Sequence, residues 1–418
     1  MEATAVSLFW IVLCAVAAPL LAGLVPRRLL PEVVLLLVFG VIIGPKVLGL
    51  AELDGGIEAL GELGLGLLFL LAGYEIEVKE LAGRGGRRAF VTWLICFALA
   101  FGLIFLLDLR LDFLDAVSAR SAVAIALTST ALGLLLPILK DGGLLNTRVG
   151  TAVMHHGAIG ELGPVVAIAL LLGTGGSFEA IVVLVVFGTV AAAVAMVSTR
   201  LRPGSSLYSL IKRGSETTAQ TTVRLVVLLL VGLGVLAIVF DLDVVLGAFA
   251  AGFVLRRTLP EGDESLEHKL DGLAFGLLIP IFFITSGMAI DPRAVAAEPM
   301  ALLAFVVLIL VVRGGPIFLA SSLERDSPAG PRAFTRPDSL RIALYGATGL
   351  PIIVAVTSVA VKSGQMTDQH ASLLIAGGAI TVLALPMTAS LLGGGQSHPS
   401  PDQIANDAKP AEASDHGG

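Results

Sequence analysis

The chain has 418 residues, of which 56% are hydrophobic and 14% are charged, and its formal net charge is −6. Soluble domains carry about a quarter charged residues, so this composition excludes an ordinary soluble protein and favours a chain that lies mostly in a lipid bilayer. A negative net charge also gives no reason to expect a nucleic-acid partner.

Apolar segments separated by short polar stretches recur from one end of the chain to the other. Most are about 20 residues long, which lets a helix cross roughly 30 Å of hydrocarbon. Lipid offers no partner for backbone polar groups, so these segments are predicted to be helices. The ninth is short, and the fifth and twelfth are interrupted, so twelve and fourteen crossings stay open beside the preferred thirteen. The predicted helices start near residues 5, 31, 57, 89, 115, 149, 178, 220, 243, 273, 297, 339 and 370.

The basic residues are distributed unevenly between the loops. Most of the 27 Lys and Arg residues fall in loops that follow odd-numbered predicted helices. Basic residues favour cytoplasmic loops. We therefore predict a multi-pass protein of the cell membrane, with its N-terminus outside and its C-terminus in the cytoplasm.

The last part of the sequence differs in composition from the rest. Residues 395–418 are polar, rich in Gly, Pro and Ala, and without apolar periodicity, which is typical of a disordered segment. The sequence thus predicts one transmembrane domain over residues 1–394 and a disordered cytoplasmic tail over residues 395–418. It contains no strand followed by GxGxxG, so we expect no nucleotide and no other cofactor.

Two charged residues lie deep within predicted helices. Glu161 falls at the middle of the sixth, and Arg313 lies somewhat inward of the middle of the eleventh. Ionisable side chains at this depth are costly in lipid and are candidates for function. We interpret Glu161 as the ion and proton site and Arg313 as its charge-compensating partner. Two alternatives stay open, namely that Glu161 is permanently protonated and joins two helices, and that Arg313 is a structural anchor.

The fifth and twelfth predicted helices carry helix-breaking residues at a similar depth. Glycine permits unusual backbone dihedrals, proline removes a backbone donor, and hydroxyls can satisfy the freed carbonyls, so both helices are predicted to be broken. The hydroxyls of the fifth helix either bind the ion with Glu161 or bond back to their own helix. The residues concerned are Thr128, Ser129 and Thr130 in the fifth helix and Thr348, Gly349 and Pro351 in the twelfth.

The positions of the two broken helices suggest an internal symmetry. They are seven apart among thirteen, so the chain divides into helices 1–6, helix 7 as a linker, and helices 8–13. Because this separation is an odd number of helices, corresponding helices of the two halves cross the membrane in opposite directions. The chain is therefore predicted to contain two inverted six-helix repeats. Broken helices at matching positions of inverted repeats indicate a binding site near the midplane.

The residues before Glu161 suggest room for an ion. Ala158 and Gly157 precede it by three and four places and share its helix face, so they are expected to leave space for a cation and water. His155 and His156 point away from that face, and we expect His156 to support the site by packing or hydrogen bonding. A zinc site is the weaker alternative, because zinc-binding helices place their ligands four residues apart.

Four blocks of the sequence carry a resemblance to a known family: PEVVLLLVFGVIIGPKVLGL, LGELGLGLLFLLAGYEIEV, SAVAIALTSTALGLLLPILKDGGLLNTRVG and KLDGLAFGLLIPIFFITSGMAID. Together they resemble the monovalent cation:proton antiporter superfamily, in the branch of Kef-type potassium/proton systems and NapA-type sodium/proton antiporters. In that family the helix corresponding to the sixth carries Asp-Asp, Asn-Asp or Gln-Asp, and the second residue binds the ion or proton. Here Gly160 and Glu161 stand in those places, and Arg313 stands where the branch more usually has lysine.

The resemblance implies an all-α fold of the NhaA/NapA-like type. Its two crossed broken helices lie in a moving core domain, and a separate domain forms a homodimer. The implied activity is exchange of Na⁺ or K⁺ for protons by an elevator-type mechanism. Because Gly160 cannot titrate and arginine stays protonated, one proton-carrying group remains, which predicts electroneutral one-for-one exchange.

Other functions fit the sequence less well. A sodium-coupled carrier of an organic solute on the same inverted-repeat architecture would need a larger cavity and several cationic side chains facing it, and only Arg313 is central. An enzyme is not expected, because the chain has no HExxH motif, no paired midplane aspartates and no Ser/His pair. A channel is a third alternative.

Overall fold

The structure is a computed structural model, in which the described residues form helices, with one isolated β-bridge between Arg325 and Arg332. The predicted tail at 395–418 lies outside the described residues, as do the basic loop segments 25–30 and 200–219. The described residues are 2–24, 31–76, 83–111, 117–172, 177–199, 220–258, 264–325 and 331–392.

The first half of the chain forms eight helices. They are α1 (Glu2–Leu24), α2 (Glu32–Ile43), α3 (Gly55–Glu75), α4 (Arg84–Leu111), α5 (Val117–Leu127), α6 (Leu132–Asp141), α7 (Arg148–Leu171) and α8 (Ser177–Thr199).

The second half forms ten helices and two segments of π-helix, at Ala274–Leu278 and Leu310–Gly314. The helices are α9 (Thr221–Val239), α10 (Val244–Thr258), α11 (Glu264–Leu273), α12 (Ile279–Ala289), α13 (Pro292–Ala297), α14 (Pro299–Ile309), α15 (Gly315–Leu323), α16 (Arg336–Gly346), α17 (Leu350–Lys362) and α18 (Asp368–Leu391).

Ten stretches of the described chain are helical, long and apolar enough to cross a membrane, and two shorter apolar helices lie at Glu32–Ile43 and Val182–Ala193. This confirms an all-helical, multi-pass membrane protein. The count of thirteen crossings, the inverted repeats and the orientation of the termini stay predictions.

The helices pack into two bundles. The first, called the flanking bundle, contains α1–α3 and α9–α12. The second, called the broken-helix bundle, contains α4–α7 and α14–α18. Helix α8 contacts both α7 and α10. The two bundles meet where α3 contacts α6, where α10 contacts α7, and where α2 contacts α18.

Glycine lets the helices of the flanking bundle approach closely. A Cβ added to Gly252 of α10 would overlap the backbone carbonyl of Leu70 in α3, and one added to Gly73 of α3 would overlap the carbonyl of Phe249 in α10. Apolar side chains gain little free energy when they move from lipid into a helix interface. Close packing of the helix backbones is therefore a main source of helix association in a membrane.

The start of α3 is fixed by a cap. The Asp54 carboxylate accepts hydrogen bonds from the backbone N–H groups of Gly56 and Ile57, at 3.1 and 3.0 Å, and from the hydroxyl of Thr4 in α1. The Thr4 hydroxyl and the Ile57 N–H hold the pKa of Asp54 below its usual range. The cap satisfies N–H groups that lack a partner inside the helix.

Both breaks expected from the sequence are present. The fifth predicted helix is divided into α5 and α6 by residues 128–131, and the twelfth is divided into α16 and α17 by residues 347–349. Pro351 lies in the first turn of α17, where its missing N–H costs no helical hydrogen bond.

Candidate ion-binding site

The two helix breaks contact each other. The N–H of Ala131 donates to the carbonyl of Thr348 at 2.5 Å, and the Ser129 hydroxyl lies 3.2 Å from the carbonyl of Gly349. The N–H of Thr130 donates to the carbonyl of Gly160 in α7 at 2.9 Å. The breaks and α7 thus form one buried junction in which backbone groups freed from the helices are paired with one another.

The Glu161 side chain lies beside this junction. The residue is only 3% exposed. Its carboxylate interacts with the backbone N–H of Leu132, the first residue of α6, while Oε2 has no hydrogen-bond partner among the described residues. The N-terminus of a helix carries a partial positive charge that favours an anion. Oε2 therefore remains available for a ligand.

A second carboxylate, which was not predicted from the sequence, approaches from the flanking bundle. Glu75 is the last residue of α3, and its Oε2 is buried without a hydrogen-bond partner in the described structure. A Cβ on Gly133 of α6 would lie 4.0 Å from this oxygen. Glu75 and Glu161 interact electrostatically. The first turn of α6 is thus flanked by two carboxylates, one from each bundle.

A third acidic residue extends this series towards the surface. Asp271 of α11 is exposed and interacts electrostatically with Glu75. Acidic side chains therefore lead from the surface of the flanking bundle to Glu161. On the predicted orientation this surface is the cytoplasmic one, because α3 runs from outside to inside.

The three hydroxyls of the first break all donate to backbone carbonyls. Thr128 donates to Ile125 at 2.9 Å, Ser129 to Ala126 at 2.7 Å, and Thr130 to Gly346 of the other broken helix at 2.5 Å. In the second break, the Thr348 hydroxyl donates to Tyr345 at 2.8 Å. All four side chains are buried. Their protons are thus engaged. The Thr130 oxygen also accepts from Nε and Nη2 of Arg313, so the lone pairs of Thr128, Ser129 and Thr348 remain for an ion.

The small residues beside Glu161 serve a different purpose from the one expected. A Cβ on Gly157 would lie 2.7 Å from Cδ1 of Leu132, so the Leu132 side chain occupies the space that was expected to hold a cation and water. The physical reason is that α6 must come close to α7 for its N-terminus to reach Glu161. Ala158 is buried and belongs to the apolar core.

The Arg313 guanidinium is fully buried in the same junction. Among the described residues its hydrogen bonds go to neutral groups, which are the Thr130 hydroxyl, the carbonyls of His156 and Gly346, and the Cys96 sulfur. His156 is also buried, and its Nδ1 has no partner in the described structure. The π-helical segment Leu310–Gly314 places Arg313 here, and such segments are frequent at functional sites.

The site has the chemistry of a monovalent cation or proton site. Carboxylate and carbonyl oxygens are hard ligands, and each carboxylate can take a proton instead. Within the described ranges, no group of three or more His, Cys, Asp or Glu side chains could hold a metal ion. Zinc binding at His155 and His156 has no support from the geometry.

Comparison with known proteins identifies the family. The family model described as the transmembrane sodium/hydrogen exchanger matches residues 12–392. The chain therefore belongs to the sodium/hydrogen exchanger family, a class of membrane antiporters within the monovalent cation:proton antiporter superfamily, as the resemblance indicated.

Several relatives are similar over part of their length. A probable Na⁺/H⁺ antiporter, GerT, from Bacillus cereus is 25% identical over 66% of this chain and 72% of its own. K⁺ efflux antiporter 2, chloroplastic, from Arabidopsis thaliana is 28% identical over 94% of this chain and 33% of its own. The chain thus spans only a third of the length of that plant relative.

The fold matches that of a solved antiporter. The structure of the sodium proton antiporter MjNhaP1 from Methanocaldococcus jannaschii at pH 8 superposes with a TM-score of 0.63. The match covers 92% of this chain and 98% of that one, at 18% sequence identity. The similarity at this identity shows a shared fold.

Proposed function

We propose that this protein exchanges a monovalent cation, Na⁺ or K⁺, for protons across the cell membrane, with Glu161 binding either the ion or the proton. The observation that carries the proposal is the buried Glu161 carboxylate beside two helix breaks, whose Oε2 has no hydrogen-bond partner among the described residues. The relatives named as Na⁺/H⁺ and K⁺ antiporters support it.

Glu75 extends this proposal to the capture of the ion. Two carboxylates near one another attract a cation more strongly than one, because the bound charge relieves their mutual repulsion. Glu75 lies on the flanking bundle and Glu161 on the broken-helix bundle, so an ion between them bridges the two. The hydroxyl oxygens of Thr128 and Ser129, with Thr348 and Gly349 behind them, line the junction as further candidate ligands, whereas the Thr130 oxygen is taken up by Arg313.

The arrangement of the bundles favours an elevator-type mechanism. Glu161 and both breaks belong to the broken-helix bundle and can move as one unit, since their backbone groups bond to one another. Glu75 belongs to the other bundle and stays behind during this movement. Only the Glu161 carboxylate then travels, carrying one cation in one direction and one proton in the other. Exchange is accordingly one for one and electroneutral, and the flanking bundle is the candidate surface for a homodimer.

The experiment that tests this function uses purified protein in lipid vesicles that contain a pH-sensitive dye. Each of Na⁺, K⁺ and Li⁺ is added in turn, with no organic solute present. We expect Na⁺ or K⁺ to change the internal pH, and an imposed membrane potential to leave the rate unchanged. A rate that follows the potential would refute the one-for-one stoichiometry. Transport that requires an organic solute would refute cation/proton exchange itself.

A further inference from the structure

The Arg313 guanidinium connects the helices of the junction. Its Nε and Nη2 lie 3.0 and 2.9 Å from the Thr130 hydroxyl oxygen, between α5 and α6. Nη2 also donates to the carbonyl of His156 in α7 at 2.7 Å, and Nε lies 3.3 Å from the carbonyl of Gly346 at the end of α16. One planar cation thus joins both helix breaks to α7, a geometry that an ammonium group cannot reproduce.

The charge of Arg313 lies where a helix end favours it. Gly346 is the last residue of α16, and the C-terminus of a helix carries a partial negative charge. Arg313 interacts electrostatically with Cys96 and His156, and Glu161 interacts with Glu75. The Glu161 carboxylate also interacts with the Leu132 N–H. Arg313 and Glu161 are therefore stabilised by separate partners.

Gly160 provides the space that this arrangement needs. A Cβ added to Gly160 would overlap Nη2 of Arg313 and lie 2.5 and 2.8 Å from Oγ1 and Cβ of Thr130. Gly160 lies inside α7 and is not among the residues with positive φ. The glycine is accordingly required for space and not for its backbone conformation. Any side chain at position 160 must displace the guanidinium.

We propose that Arg313 is a positioning residue that holds both helix breaks against α7, and that Gly160 and Arg313 form a matched pair in which the missing side chain admits the guanidinium. This inference rests on the proposed function for its transport consequences. It replaces the expected charge compensation with a mechanical role, so that Glu161 exchanges its cation and proton without an arginine counterion.

A double-mutant cycle tests the pair. The variants are Gly160→Ala, Arg313→Lys and the two combined, measured in dye-loaded vesicles and by thermal unfolding in detergent. Alanine favours a helix more than glycine does. A loss of stability in Gly160→Ala therefore reports the clash between the added methyl group and Arg313, not a loss of helix propensity. We expect Gly160→Ala to lower the exchange rate at least about tenfold and the unfolding temperature by several degrees. Arg313→Lys alone is also expected to lower the rate and the unfolding temperature, because an ammonium group cannot make the guanidinium contacts. Because lysine lacks the Nη2 atom, adding Gly160→Ala to Arg313→Lys is expected to cost much less than Gly160→Ala costs in the wild type.

A neighbouring glycine supplies the matched control. A Cβ on Gly163, one turn along α7, would overlap the Trp93 ring instead of Arg313. Gly163→Ala should lower stability too, and by the same amount in the Arg313→Lys background as in the wild type. A Gly160→Ala loss as large in the Arg313→Lys background as in the wild type would overturn the proposal, and so would a Gly163→Ala loss that disappears in that background. The stability measurements test the Gly160–Arg313 pair even if the wild-type protein exchanges no cation. Failure of the pair can therefore be distinguished from failure of the proposed cation/proton exchange.

A variant without the Arg313 charge distinguishes a positioning role of Arg313 from charge compensation of Glu161. In Arg313→Gln, a positioning role predicts a lower maximal rate at every pH, with the pH of half-maximal exchange unchanged. A counterion of Glu161 would instead move that pH by about one unit or more, and this result would contradict the inference. If Arg313→Gln does not fold, the double-mutant cycle still decides the claim.

Discussion

Lys362 and Glu62 form an ion pair between the two bundles, with Nζ of Lys362 lying 2.6 Å from Oε1 of Glu62. Lys362 ends α17 of the broken-helix bundle, and Glu62 lies in the first half of α3 in the flanking bundle. The side chains are 65% and 63% exposed, so the pair contributes about 0–1 kcal/mol to stability. A movement between the bundles can break it at little cost.

Cross-linking at this position is expected to stop transport. With cysteines at positions 62 and 362, a bifunctional thiol reagent should tie α3 to α17 and lower the exchange rate at least about tenfold, because the bundles can no longer move past each other. The measurement is the rate of pH change in vesicles before and after treatment.

An ion pair within one bundle gives the control for this experiment. Arg88 of α4 pairs with Glu324, which directly follows α15, and both residues lie on the broken-helix bundle. Cross-linking cysteines at positions 88 and 324 should leave exchange nearly unchanged. Undiminished exchange in the 62/362 cross-linked protein would contradict the elevator-type movement.

Neutralising Glu75 is expected to weaken ion capture without abolishing exchange. In Glu75→Gln the carboxylate of Glu161 remains, but the second negative charge beside α6 is lost, so the cation concentration at half-maximal rate should rise about three- to tenfold. The rate is measured over a range of Na⁺ and K⁺ concentrations. Glu58→Gln, at the opposite end of the same helix and exposed, is the control and should resemble the wild type. Identical cation dependence in Glu75→Gln and Glu58→Gln would remove Glu75 from the site.

Shortening Glu161 is expected to slow exchange. Aspartate keeps the charge, but it is one methylene shorter, which draws the carboxylate away from the Leu132 N–H. We expect Glu161→Asp to exchange about tenfold more slowly and to remain folded. The measurement is the maximal rate in vesicles that contain equal amounts of protein, with thermal unfolding as the check on folding. A wild-type rate would show that the Leu132 contact is not needed.

Close packing in the flanking bundle is expected to depend on Gly252. Alanine there would overlap the Leu70 carbonyl and lie 2.8 Å from the Tyr74 nitrogen, so Gly252→Ala should lower stability by about 1–3 kcal/mol. Gly232 of α9 has no atom within 4 Å of an added Cβ, and Gly232→Ala should be neutral or slightly stabilising. Thermal unfolding in detergent distinguishes the two. Equal unfolding temperatures would show that the backbones can separate without loss.

The sequence predicted those parts of the site that stand out against an apolar background. A carboxylate in the middle of an apolar helix and Gly, Pro and Thr residues inside two others violate the pattern of a membrane span, so Glu161 and both breaks were found. Glu75 was missed because it ends its apolar segment, where a carboxylate normally marks the edge of the membrane. Only the packing of α3 against α6 brings it to the site.

Contacts between distant segments explain the other differences. Gly157 was expected to leave room for an ion, and only the position of α6 in the fold shows that Leu132 takes that room. The partners of Arg313 come from four separate segments. Periodicity along a single helix carries no information about such contacts. Glu161 was predicted as the partner of Arg313 because the two residues lie at similar depth in the membrane, but the groups that Arg313 contacts are neutral.

The most direct test of the central claim is the pH change that Na⁺ or K⁺ evokes in vesicles containing Glu161→Gln, compared with wild-type protein at equal incorporation. Glutamine preserves the size of the side chain but binds no proton in this pH range. We expect every cation-evoked pH change to be lost while the protein stays folded. A folded Glu161→Gln variant that exchanges cations for protons at the wild-type rate would contradict the proposed role of Glu161.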